Sequence, residues 1–362
     1  MPASICFEEC VGGDHELPHD GCDGDPLEEL SRIIDFETFR PFLVAALAYG
    51  DGAKSGRPPY DPVAMLKVLI LAAQNNVSDA RMEYLIRDRL SWLRFLGFDL
   101  GAATPDANTI RMFREKLTEA GALDALFTDF DRQLKERGYL AMGGRIVDAT
   151  LVAAPKQRNS EPEKAAIKEG KTAAEIWPDE PARAAQKDTD ARWTLKFAKG
   201  RPAADGKPQI DIAIPSFGYK SSIVICRAFG FIRKGKVTDG ARFDGRMLRD
   251  VVTSDNTASD VWADTACRSQ ANEKWLKAQG RVSRIHRKKP RGKPMPDHVR
   301  RGNATKSKVR ARVEHIFAQQ KANMGLFIRT IGIKRAEAKI TLANLAYNMN
   351  RLIFHERPAA IG

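Results

Sequence analysis

Cysteine is scarce, with five in 362 residues. That scarcity excludes a disulfide-stapled fold, and Cys226 and Cys267 read as reduced thiols in ordinary surroundings. No apolar run approaches the roughly 18 residues that span a bilayer, so no membrane partner is expected. The N-terminus lacks a basic stretch followed by an apolar one, the pattern of a secretory signal, and a cytoplasmic protein is expected. Two regions each lack charge of one sign. Residues 1–30 hold nine acids and no Lys or Arg, whereas residues 281–312 hold thirteen Lys and Arg against one acid, Asp297. Internal repeats are absent.

What is present is the composition of a folded chain, 43% hydrophobic and 29% charged, with a net charge of +13 and a pI near 9.5. Clustered positive charge points to a polyanionic partner, although it names a partner class and no activity. Cys6, Cys10, His15, His19 and Cys22 are zinc-type ligands. Their spacings match no standard finger, and the surrounding acids and glycines favour a disordered acidic tail over residues 1–26.

From 27 to about 140 the pattern is helical. "DPVAMLKVLILAAQ" opens with the capping pair Asp61-Pro62 and is apolar nearly all round, which predicts a buried helix. "SDARMEYLIRDRLSWLRFLGF" reads as helical from Ser78-Asp79 to Gly97. "TPDANTIRMFREKLTEAG" runs from Asp106 to Gly121, with Ile110, Phe113 and Leu117 on one face. A helix–turn–helix here would present Asn108, Arg111 and Arg114 to a major groove; the bland alternative is a bundle with a solvated basic face. Residues 141–330 then alternate strands and helices, with a polar segment, about 155–207, read as a surface insertion. The order predicts a mixed α/β domain. A helix in 331–362, with Leu342, Leu345, Ala346, Met349, Leu352 and Ile353 at helical spacing, is expected to close it by packing.

Three acids stand in unusual places. In "GRIVDATLV" alternation puts Asp148 on one face of an apolar strand, costly unless paired or bound to a cation. In "DVWADTACRS" Asp264 follows an apolar run, where ligand groups sit at strand ends in α/β sheets. In "KVRARVEHIFAQQK" Glu314 lies in the most basic part of the chain. At ~100° per residue, Arg310, Glu314 and Lys321 fall within roughly 40° of one another. Val309, Val313, Ile316, Phe317 and Met324 form the neighbouring apolar stripe. Singly, each acid reads as a cap or a surface charge pair. Together, within so basic a chain, they suit a pair of Mg²⁺ ions about 3.5–4 Å apart. Such ions would screen the acids from nucleic-acid phosphate, while Arg310, Lys321, Arg287, Lys288 and Lys289 hold the polyanion.

These stretches, with "DTDARWT", "FGYKSSIVI", "KVTDGARFDG" and "RIHRKKPRGK", resemble the DDE transposases of bacterial insertion sequences, specifically the IS-five group related to the IS-four superfamily. The resemblance covers roughly 27–354. It implies a ribonuclease H-like catalytic domain behind an α-helical N-terminal DNA-binding region, with Asp148, Asp264 and Glu314 as the metal-binding triad. It also implies a cofactor, Mg²⁺ (Mn²⁺ substituting). The partner implied is double-stranded DNA, bound at terminal inverted repeats by at least a dimer. The family's last motif spaces Tyr, Arg, Glu and Lys; Arg310, Glu314 and Lys321 fit, and Ser307 stands at the Tyr position. Ser222 stands near a position where the family carries His. Trp193, in the polar segment, reads as a packing residue before a base-stacking one. The competing readings are a catalytically inactive or domesticated DNA-binding protein, and a nicking nuclease of the same fold.

Overall fold

The computed structural model describes residues 25–47, 58–198, 212–290 and 292–357. The zinc-type residues Cys6, Cys10, His15, His19 and Cys22, with all but the last two positions of the acidic tail, lie outside the described residues. The N-terminal part is helical: α1 (Pro26–Ile33), α2 (Arg40–Leu47), α3 (Pro62–Gln74), α4 (Asp79–Asp88), α5 (Leu90–Leu96), α6 (Ala107–Glu119) and α7 (Ala122–Glu136). Helix α3 starts where its sequence says it should. The Asp61 carboxylate accepts from the Ala64 amide at 2.9 Å, Pro62 fills the first turn, and every residue from Val63 to Ala73 except Lys67 is buried. The stretch read as one helical run from Ser78 to Gly97 is two helices instead. Arg89 breaks it with an extended backbone (φ −110°, ψ 111°), and Gly97 ends α5 in the left-handed region.

The second part is a six-stranded mixed sheet. Strand β1 (Arg145–Ala153) runs antiparallel to the long β3 (Ile212–Cys226) and parallel to β5 (Asp260–Trp262). β3 also pairs antiparallel with β2 (Arg192–Ala198) and β4 (Ile232–Asp239), while β6 (Val282–Ser283) lies parallel beyond β5. Within "RVSRIHR" the strand is only two residues long. The helices of this part are α8 (Glu161–Glu169), α9 (Ala173–Ile176), α10 (Pro181–Ala184), α11 (Asp244–Val251), α12 (Gln270–Ala278) and α13 (Asp297–Ala322).

Within the polar segment, the described residues 155–198 form three short helices and a strand. Capping boxes at Ser160/Glu163 and Thr172/Glu175 start α8 and α9, and β2 adds a strand to the sheet. Ile167, Trp177 and Ala191 are buried, whereas β2 exposes Trp193 (42%) and Leu195 (59%), so that strand lacks a buried pattern. Trp193 leans on Phe217, ring centroids 5.3 Å apart.

The closing helix α14 (Ile333–Glu356) buries Leu342, Leu345, Ala346, Met349 and Leu352, leaves Ile353 half-buried, and packs on both parts at once. It lies against α3, α7 and α1 on one side and β4 on the other. One hydrophobic cluster therefore runs from Leu30 and Leu66 in the N-terminal helices, through Leu345 and Met349, to Ile223 and Ile146 in the sheet. Across the core Asn348 bonds both backbone groups of Ile232, at 2.9 and 2.8 Å, fixing α14 to β4.

Candidate active site

The parallel register between β1 and β5 brings the two aspartates together. Ile146 lies opposite Trp262, and each acid follows two residues later, Asp148 within β1 and Asp264 just past the end of β5. Gly144 permits this approach. It has a φ of +95°, and a Cβ there would come within 2.8 Å of the Asp260 carbonyl oxygen. Asp264 occupies the cap position of a 3-10 turn (Thr265–Cys267) without capping its amides, and its Oδ1 accepts from the Thr265 hydroxyl at 3.3 Å.

Glu314 arrives from α13. Val313, Ile316 and Phe317 bury the expected stripe, with Met324 just beyond the helix, and the helix packs on β1 and β5. All three acids then face one guanidinium. Arg310 Nη2 donates to Asp148 Oδ2 at 2.9 Å and lies 3.5 Å from Glu314 Oε1, while Nη1 lies 3.5 Å from Asp264 Oδ1. Three segments remote in sequence thus converge on a single cation. Further along α13, Lys321 Nζ donates to Thr150 Oγ1 at 2.5 Å, beside the same strand.

The electrostatics favour more positive charge than Arg310 supplies. Burial pushes the Asp148 carboxyl above its ordinary range, and the Arg310 charge and hydrogen bond offset this only in part. Arg310 loses by burial yet still lies above its usual value, because Asp148 foremost, then Asp264 and Glu314, stabilise its charge. Its Nε is buried without a hydrogen-bond partner. The donor set is hard carboxylate oxygen, the type that magnesium takes. Among the described residues no three His, Cys, Asp or Glu close around one metal position, since Arg310 stands between the acids. The donor chemistry fits a divalent ion once that guanidinium withdraws.

His286, which the sequence reading passed over, also lines the site. His286 Nδ1 lies 3.6 Å from Asp264 Oδ1, and burial foremost, then Arg310, lowers its pKa. It sits in "RIHRKKPRGK", where the surrounding cations hid it. Ser222, Asp244 and Cys267 share a small cleft with Asp148 and Asp264, and the buried Ser222 hydroxyl has no partner. Arg287, Lys288 and Lys289 are exposed on the loop after β6, anchored to α13 where Asn303 bonds both backbone groups of Arg287. Ser307 lies on α13 one turn before Arg310.

The proposed end-reading residues divide. Arg111 donates to Asn108 at 2.6 Å on the exposed face of α6. Arg114 instead forms two bonds, at 2.8 and 2.6 Å, with Asp79 at the start of α4. This half-buried pair holds two helices together.

Residues 140–349, more than half of the chain, match a family model described as the transposase DDE domain. The chain belongs to the DDE transposase family. Residues 16–116 match a second model, described as a transposase domain (DUF772). No solved structure gives a significant match. As a DDE transposase, the protein is an enzyme of mobile DNA whose family binds DNA and uses a divalent metal. No described helix is long and apolar enough to cross a membrane.

Proposed function

We propose that this transposase binds the terminal inverted repeats of its element, cleaves the element ends, and joins the freed 3′-hydroxyls to target DNA. Asp148, Asp264 and Glu314 are its catalytic carboxylates and hold Mg²⁺, for which Mn²⁺ can substitute. The observation that carries this reading is their convergence on Arg310 from β1, the end of β5 and α13. Bound divalent ions would neutralise the acids beside phosphate and polarise the attacking and leaving oxygens. The chain's own residues do the positioning. The parallel β1–β5 register fixes the two aspartates, and α13 carries Glu314 and Arg310 as one rigid unit. Arg310 is the group that must leave the acids; once displaced, its bidentate guanidinium and the Lys321 ammonium are placed for DNA phosphate. Arg287, Lys288 and Lys289 extend that positive rim.

The strand order β4-β3-β1-β5-β6, antiparallel on the first side of β1 and parallel on the other, supports a ribonuclease H-like fold for 141–330. The helices of 27–140 form the DNA-binding region, the protein works as a dimer on paired ends, and its group is the IS-five group. The test is cleavage of a labelled fragment carrying the element end, with Mg²⁺ and with EDTA. Nicking at the boundary that needs metal and vanishes in Asp148→Ala, Asp264→Ala and Glu314→Ala supports the assignment. End binding without cleavage by the unaltered protein means a DNA-binding relic, and cleavage surviving one substitution removes that acid from the site.

A further inference from the structure

A second positive site lies away from the acids. An open groove of about 640 Å³ is lined by Arg81, Arg89 and Arg329 with Asn75, Asn76 and Ser78, and no acid lines it. Its arginines share one arrangement. The Arg81 guanidinium lies 4.5 Å from the centre of the Tyr84 ring, Arg89 5.2 Å from Trp92, and Arg329 5.4 Å from Phe327. Among the described residues none of the three has a carboxylate partner. Neighbouring arginines do: Arg87 pairs with Glu83, Arg94 with Asp25 and Glu28, and Arg114 with Asp79. A guanidinium held over a ring keeps its charge and its fork of N–H donors, the geometry that suits phosphate oxygens.

The groove is assembled from both parts of the chain. Arg81 and Arg89 belong to α4 and the break after it, whereas Arg329 follows α13. Gly325 and Asn76 join them: Gly325 has a φ of +49°, and a Cβ there would lie 2.5 Å from the Asn76 side-chain carbon Cγ. Asn76 itself takes a left-handed backbone, φ 50°. The same segment is tied to the sheet, since the Ile328 amide donates to the Ala153 carbonyl at 2.9 Å. Along β1, Asp148 and Ala153 are thus separated by about 17 Å at ~3.3 Å per residue. Lys321 lies beside Thr150 between those two positions.

We infer that this groove holds the phosphate backbone of double-stranded DNA through Arg81, Arg89 and Arg329. The inference rests on the transposase reading above and adds where the duplex is gripped. The interactions are with phosphate, so they set affinity and register and carry no base sequence.

The test is binding of a short labelled duplex of random sequence over a salt series. The triple variant Arg81→Gln, Arg89→Gln, Arg329→Gln is compared with Arg287→Gln, Lys288→Gln, Lys289→Gln. Removing one cation from a phosphate flattens the dependence of log K on log salt by about 0.9. The groove variant is expected to bind about tenfold or more weakly, with a slope shallower by two to three of those steps. Arg329→Gln alone, outside the helices, is expected to lower the slope by one step, and serves if the triple variant folds poorly. Unchanged slope and affinity in the groove variants, with weaker binding by the loop variant, overturns this inference alone. No DNA binding by the unaltered protein overturns it together with the reading beneath it.

Discussion

Arg310 donates to Asp148 at 2.9 Å while standing 3.5 Å from both Asp264 and Glu314, so one side chain is the counter-ion of three acids. Removing it leaves the half-buried Asp148 with the Ala149 amide, at 2.9 Å, and without its counter-ion. Arg310→Ala is expected to lower stability by about 1–3 kcal/mol in EDTA. Millimolar Mg²⁺ is expected to restore most of that loss, because the ion replaces the missing charge. Urea unfolding with and without metal measures both. Equal loss in both media would mean that the acids hold no ion.

Arg114 and Arg111 lie one turn apart on α6 with different duties. Arg114→Ala removes two bonds to Asp79 and is expected to lower the stability of the helical part by about 1–3 kcal/mol. Its effect on discrimination between end and random DNA should be small. Asn108→Ala and Arg111→Ala, on the exposed face, should leave the melting temperature unchanged and weaken end discrimination. Competition binding and thermal melts on the same three proteins separate the two effects.

Gly144 sets the approach of β1 to β5. Gly144→Ala would place a methyl group against Trp262 and the Asp260 carbonyl at a φ of +95°. A loss of about 2 kcal/mol or more is expected from strain alone, read by urea unfolding. Cleavage should fall further than stability does, since the two aspartates lose their common level.

His355 gives the stability a pH dependence. Its ring packs among Tyr139, Phe229 and Phe231, and Nε2–H donates to the Phe229 carbonyl at 2.9 Å. Burial, its main cause, lowers its pKa below the ordinary histidine value. The folded state then keeps the ring neutral while the unfolded chain takes up a proton, so stability falls as pH drops below about 6.5. His286 acts in the same direction. His355→Phe is expected to flatten the fall in melting temperature between neutral and mildly acid pH; an unchanged fall would place the dependence elsewhere.

Much of this was legible in the sequence because local chemistry specified it. Asp61-Pro62 starts α3, Asp106 starts α6, and the stripe of Val313, Ile316 and Phe317 settles which side of α13 faces the sheet. The three acids stood out as charges in the wrong company. What stayed hidden depended on partners far along the chain. β2 exposes Leu195 and half-exposes Trp193, so no buried pattern announced a strand. His286 was one ring among cations, and only the fold turns it to Asp264. The side-by-side placement of Arg310 and Asp148, 162 residues apart, has no trace in either local stretch.

Helix α14 touches both the N-terminal helices and the sheet, with Asn348 locking it to β4. A protein built this way behaves as a gauge with no hinge. If the arginine groove and the three acids act on one duplex as proposed, the span between them is set by a shared hydrophobic interior, and that interior would decide which phosphate reaches the acids.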